Sequence, residues 1–151
     1  MSAGIINAYK EQGVTALASS LARALGPALR ELHGEIPSWE TALWVAPPSS
    51  SASFVERGYR PVELLARRAG IRAVPALTFV RQHVDNAGLD ARQREMNMSG
   101  SLRATKVVSG RRIILIDDVI TSGATLRECA RAVGAAGGHV MAALTLAYTE
   151  L

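Results

Sequence analysis

The segment Ile113-Ile114-Leu115-Ile116-Asp117-Asp118-Val119-Ile120-Thr121-Ser122-Gly123-Ala124-Thr125-Leu126 constrains this chain more than any other. Four consecutive apolar residues leave no face for water and read as a fully buried strand, expected over Arg112–Asp117. Two adjacent carboxylates stand where that strand should end. A hydroxyl- and glycine-rich turn follows, and then an apolar-periodic run that predicts a helix over Thr125–Ala136, stopped by Gly137-Gly138. Such a junction suits a sugar phosphate. Backbone amides at a helix start lack internal partners and favour an anion. Gly123 permits a tight bend and close approach of a ligand. Asp117 and Asp118 suit sugar hydroxyls or a hydrated divalent cation. No Lys follows the glycine, so the turn is not a nucleotide-triphosphate P-loop.

The rest of the chain supplies the frame. Val14, Leu17, Leu21, Leu25, Ala28 and Leu32 form one apolar stripe, predicting a helix over residues 14–32 that Gly26-Pro27 kinks or splits and Gly34 stops. Leu43–Ala46 reads as a buried strand, ended by Pro47-Pro48-Ser49-Ser50-Ser51. Pro61 suits the first turn of a helix that runs through Leu64, Leu65 and Ala69 towards Gly70. Leu77–Arg81 and Val140–Ala147 read as further strands. Between them, residues 82–103 turn polar, with Gly88 and Gly100 as flexible points and a short helix over Leu89–Asn97. Polar excursions of that length tend to be lids or binding loops. Alternating strands and helices predict an α/β fold, a parallel sheet with helices on both faces. Ligands of such sheets bind beyond the carboxyl ends of the strands, where Pro47-Pro48-Ser49 and Asp117-Asp118 would converge.

Composition narrows the class. With 48% hydrophobic residues over 151, the chain can bury one sizeable core, and residues 1–151 read as a single domain. No apolar run approaches the roughly 20 residues of a membrane span. The start shows no basic segment leading into an apolar one, so no signal peptide is expected and the location is read as cytoplasmic. A single cysteine, Cys129, excludes an internal disulfide framework and a multi-Cys zinc site. The net charge is +4, and of the 17 basic residues only Lys10 and Lys106 are not Arg. That balance admits phosphate-rich ligands. The aromatics are scattered without an interleaved basic patch, so direct nucleic-acid contact is a minor reading. His33, His83 and His139 are dispersed and supply no obvious general base.

Ile113 to Thr125 resembles, over thirteen positions, the phosphoribosyl pyrophosphate signature of the type I phosphoribosyltransferases. More widely, the chain resembles the ComF/GntX (competence protein) group. Ala8-Tyr9-Lys10-Glu11-Gln12-Gly13 is similar to its early Tyr-Lys segment. Val45–Ser49 followed by Arg57-Gly58-Tyr59 is similar to its first-strand loop and Arg-Gly-aromatic motif, and Arg92, Arg94 and Asn97 to its Arg-to-Asn stretch. The resemblance implies a five-stranded parallel sheet with a small N-terminal hood and a flexible loop over the site. It implies phosphoribosyl pyrophosphate and a nitrogen acceptor as substrates, with pyrophosphate released. Asp117 and Asp118 would meet the ribose hydroxyls, partly through Mg2+. Thr121, Ser122, Gly123, Ala124 and Thr125 would wrap the 5′-phosphate. Pro47, Pro48, Ser49 and Arg57 would face the pyrophosphate, and Arg92 and Arg94 would come from the loop. The alternative it leaves is a non-catalytic module sensing the same ligand and linked to DNA uptake. It is compatible with a homodimer and implies no membrane partner.

The sequence departs from that group in several places. The Cys-rich zinc-binding segment with which the group usually begins is missing from this sequence. The flexible region has no Lys, and Asn86 stands where Gln is usual. Thr121 replaces the third acid of purine-salvage members, which argues against hypoxanthine or guanine as acceptor.

Overall fold

In the computed structural model, residues 9, 15–49, 58–81 and 90–148 are described. Strand β5 (Arg112–Ile120) is the spine of the fold. It pairs in parallel with β1 (Leu43–Val45) on one side and β6 (His139–Tyr148) on the other, and β2 (Ala73–Val74) completes the order β2-β1-β5-β6. Among the described residues the parallel sheet therefore has four strands. The hood and the tip of the flexible loop fall largely outside the described residues. So do Val14, Ser50 and Ser51, Arg57, and residues 82–89.

Side chains alternate across β5 and sort the core into two layers. Ile114 and Ile116 pack with Trp44, Leu65 and Leu144 on one face. That face is covered by α1 (Ala18–Ala24), α2 (Gly26–Glu35) and α3 (Pro61–Arg68). Ile113 and Leu115 pack with Val45, Leu102, Cys129 and Val133 on the other. There the cover is α4 (Ala91–Met98) and α5 (Ala124–Ala135). All four β5 residues are at most 1% exposed. Each such aliphatic side chain contributes about 1.5–3 kcal/mol by leaving water. The result is the α/β sheet flanked by helices that the alternation predicts.

Several boundaries differ from expectation. The first helix splits at Leu25, and Pro27 opens the second piece, where a missing N–H costs nothing. That piece runs to Glu35, so Gly34 lies inside its last turn instead of stopping it. β1 ends at Val45 and β3 spans Leu77–Phe79, both shorter than expected. β3 does not join the parallel sheet. It pairs antiparallel with β4 (Leu102–Ala104), a strand that straddles the end of the stretch expected to be polar loop. β5 runs three residues past Asp117, because β6 continues to pair with it as far as Ile120↔Tyr148. Gly138 is a true close approach: a Cβ there would lie 2.9 Å from the Val108 carbonyl oxygen. No described helix is long and apolar enough to cross a membrane.

Candidate phosphoribosyl site

The acid pair lies within the paired part of β5, buried, with Asp117 9% and Asp118 1% exposed. Each carboxylate takes the next backbone amide. Asp117 Oδ1 accepts the Asp118 N–H at 2.8 Å, and Asp118 Oδ1 accepts the Val119 N–H at 2.8 Å. The alternation of β5 continues through them. Asp117 lies on the α5 side, where its charge, after burial, helps push the Cys129 thiol far above its usual range. Asp118 lies on the Tyr9 side, where its charge adds to burial and Tyr59 in pushing the Tyr9 phenol well above 10. In register, Thr145 of β6 stands beside Asp117.

The turn after β5 bends sharply. Thr121, Ser122 and Gly123 are half-buried. Gly123 has φ +75° and serves as the N-cap of α5, with no side chain capping the helix. The Ser122 hydroxyl accepts the Ala124 N–H only at 3.4 Å, and the first helical bond runs from Arg127 N–H to the Gly123 carbonyl at 3.0 Å. Such an end presents oriented amides to an anion and carries a partial positive charge, together worth about 1 kcal/mol or more when partly buried. Thr125, in the first turn of α5, is half-buried.

The β1 loop reaches the same edge. Val45 pairs with Leu115, so Pro47, Pro48 and Ser49 leave β1 alongside Asp117 and the residues after it. All three are half-buried. Arg57 is outside the described residues. Arg92 is exposed on α4, and Arg94 lies on the same helix. The sheet edge thus gathers the acid pair, the Thr121–Thr125 turn and the Pro-Pro-Ser loop.

Residues 52–150 match the phosphoribosyl transferase domain family, more than half of the chain and the whole of β5, the turn and α5. The chain belongs to the phosphoribosyl transferase domain family. The match begins after β1, yet β1 supplies a paired strand of the sheet. A solved structure described as the allosteric regulatory enzyme of purine biosynthesis is similar, with a TM-score of 0.46 and 23% identity. The similarity covers 85% of this chain and 26% of that enzyme, so the chain spans about a quarter of the other's length. No curated protein matches the chain significantly.

A phosphoribosyl transferase domain takes its substrate with magnesium, and the donor set here suits that ion. Mg2+ is held by hard oxygens, commonly one or two carboxylates with substrate phosphates and water completing the shell. Asp117 and Asp118 provide such oxygens, and among the described residues no group of three or more His, Cys, Asp or Glu forms a protein cage.

The structure also joins motifs far apart in sequence. The Tyr9 hydroxyl donates to the Pro61 carbonyl at 2.6 Å, the Tyr59 hydroxyl donates to the Tyr9 carbonyl, and the two rings lie 6.0 Å apart. The described histidines stay away from the acids. His33 stacks on Trp39, and His139 pairs with Arg112 at the amino end of the sheet. His83 is outside the described residues. Sequence reasoning missed Glu95, Arg127, Glu128 and Arg131, which line a pocket of about 210 Å3 beside Ala124, between α4 and α5. Glu128 and Arg131 pair locally, three residues apart, but the Glu95–Arg127 pair and the bonds to Leu102 span 26 to 32 residues that no local pattern connects.

Proposed function

We propose that this chain binds phosphoribosyl pyrophosphate and transfers its phosphoribosyl group to a nitrogen acceptor. The observation that carries the reading is the buried Asp117-Asp118 pair, followed at once by the Gly123-capped start of α5. The turn Thr121–Thr125 would take the 5′-phosphate, with the two acids meeting the ribose hydroxyls. Pro47-Pro48-Ser49, with Arg57, would face the pyrophosphate, and Arg92 and Arg94 would approach from α4. Asp117 and Asp118 would hold magnesium in part, and the ion would supply charge neutralisation for the leaving group. The bond from ribose C1 to the pyrophosphate oxygen breaks and a bond from C1 to the acceptor nitrogen forms. Pyrophosphate leaves with the bonding pair, and the acceptor nitrogen releases a proton. The transition state has oxocarbenium character, so the residues act by positioning and electrostatics.

The kinship we favour within the family is the ComF/GntX group. Its support is the meeting of the Tyr9 and Tyr59 segments, both similar to segments of that group. The buried Cys129, an inert packing thiol, suits the reducing cytoplasm. Two measurements test the function. Calorimetry should show magnesium-dependent binding of phosphoribosyl pyrophosphate, and a panel of bases and amines should include one that releases pyrophosphate. Binding without release for every acceptor would favour a sensing module. Absence of binding would remove the reading altogether.

A further inference from the structure

Arg127 does more than close the first turn of α5. Its guanidinium joins two segments 32 residues apart. Nη1 donates to the Ser122 carbonyl in the turn at 2.9 Å. Nε donates to Glu95 Oε1 at 3.3 Å, and Nη2 to Glu95 Oε2, so the fork grips the α4 carboxylate with two nitrogens. The same guanidinium crowds the turn: a Cβ built on Gly123 would lie 2.9 Å from Nη1. A cation therefore already stands at the edge of the anion-receptive turn, with its charge committed to a carboxylate.

That commitment is weak. The Arg127 and Glu95 side chains are 58% and 50% exposed. Exposed pairs of this kind contribute little in water. A phosphate dianion carries more charge and three acceptor oxygens, and a guanidinium fork fits it with two parallel bonds. The neighbouring carboxylate does not compete for Arg127, because Glu128 is held by Arg131 and by the Leu102 N–H.

We propose that Glu95 holds Arg127 in reserve, and that a phosphate in the Thr121–Thr125 turn draws the guanidinium away from it. Arg127 is then a phosphate ligand supplied by the fourth residue of α5. Glu95 is a positioning residue that acts through it and lowers affinity for the phosphate. This rests on the reading above, in which the turn takes the 5′-phosphate.

Titration calorimetry with ribose 5-phosphate decides it, using the parent, Glu95→Gln, Arg127→Ala and the double variant. Glu95→Gln should bind about two- to fivefold more tightly, the gain from removing a competing exposed pair. Arg127→Ala should bind roughly tenfold or more weakly, the loss of a charge-assisted fork. In the Arg127→Ala background the Glu95 change should bring no gain, and Arg127→Lys should restore part of the affinity. Tighter binding is an effect that mere loss of a structural contact would not produce. If the parent binds and Glu95→Gln binds equally or more weakly, the reserve role is overturned while the phosphate site stands. If the parent itself does not bind, the phosphate reading falls and takes this one with it.

Discussion

Glu128 on α5 accepts the backbone N–H of Leu102 on β4 at 2.9 Å, across 26 residues of sequence. The same carboxylate accepts Arg131 Nε at 2.7 Å and Nη2 at 2.8 Å, and Arg131 Nη2 also donates to the Leu102 carbonyl at 2.8 Å. The helix after the Thr121–Thr125 turn is thereby bolted to the antiparallel hairpin. Arg131 is the main cause that holds the Glu128 carboxyl down, from an ordinary 4.5 to about 2, against the opposing effect of burial.

A folded value below the unfolded one stabilises the protein above the unfolded value, and the contribution is lost as pH falls through the folded value. The interval from 4.5 to about 2 sets an upper limit of about 3 kcal/mol, which solvent screening at the half-exposed Arg131 reduces. Thermal melts of the parent should therefore lose stability steeply as pH falls from about 4.5 towards 2. Glu128→Ala should cost about 1–3 kcal/mol at pH 7, chiefly because it leaves the buried Leu102 N–H without its acceptor. Its melting temperature should be nearly flat where the parent's falls. A parallel acid profile in the two proteins would show that Glu128 is not the responsible group.

Gly123 should resist replacement for reasons of conformation first. At φ +75° a β-branched residue is a steric outlier, and the left-handed region costs roughly 1–2 kcal/mol for an L side chain. Gly123→Val should thus lower the melting temperature by about 3 to 8 °C for a chain of this size. The added Cβ meets Arg127 Nη1, the far end of a side chain that can swing away, so the fold should survive. Ribose 5-phosphate binding should be lost by more than the stability change explains. Unaltered binding by a folded Gly123→Val would place the anion elsewhere.

What could be read from the sequence was local. The run Ile113–Ile116 announces a strand because four buried aliphatics need no partner to be recognised, and Gly123 marks its turn by composition alone. Pro27 and Pro61 mark helix starts for the same reason. The β3–β4 hairpin was not legible. It pairs Leu77 with Ala104, and three-residue strands carry too little alternation to show. The extension of β5 beyond Asp117, through Asp118 to Ile120, was hidden as well. Adjacent acids suggest a strand end, but here each carboxylate takes a neighbouring amide and β6 supplies the partner strand. The candidate acids and turn were thus visible. The Glu95–Arg127 and Glu128–Leu102 contacts were not, since folding alone brings those residues together.

Tyr9 and Tyr59 should be coupled. Tyr9→Phe removes a buried donor to the Pro61 carbonyl at the start of α3, and should cost about 1–2 kcal/mol. Tyr59→Phe removes the donor to the Tyr9 carbonyl. The rings pack against each other, so the two losses should not add. Urea melts of both single variants and the double would measure the coupling. Strict additivity would mean that the two segments are held independently.

The acid pair gives the most direct test of the proposed chemistry. Asp117→Asn with Asp118→Asn keeps the shape of both side chains, and an amide oxygen can still accept the Asp118 and Val119 N–H groups that the carboxylates now accept. The fold should therefore persist, with a thermal melt close to the parent's. What vanishes is negative charge at the carboxyl end of β5, on which a hard cation and the ribose hydroxyls would depend. Magnesium-dependent binding of phosphoribosyl pyrophosphate should disappear, while any residual affinity for ribose 5-phosphate through the Thr121–Thr125 amides should not depend on the metal. The single variants separate the two faces of β5. Asp118→Asn should also relieve part of the upward pressure on the Tyr9 phenol, whereas Asp117→Asn should act instead on Cys129. A double variant that binds phosphoribosyl pyrophosphate and magnesium as tightly as the parent would show that the acids serve the fold and not the ligand.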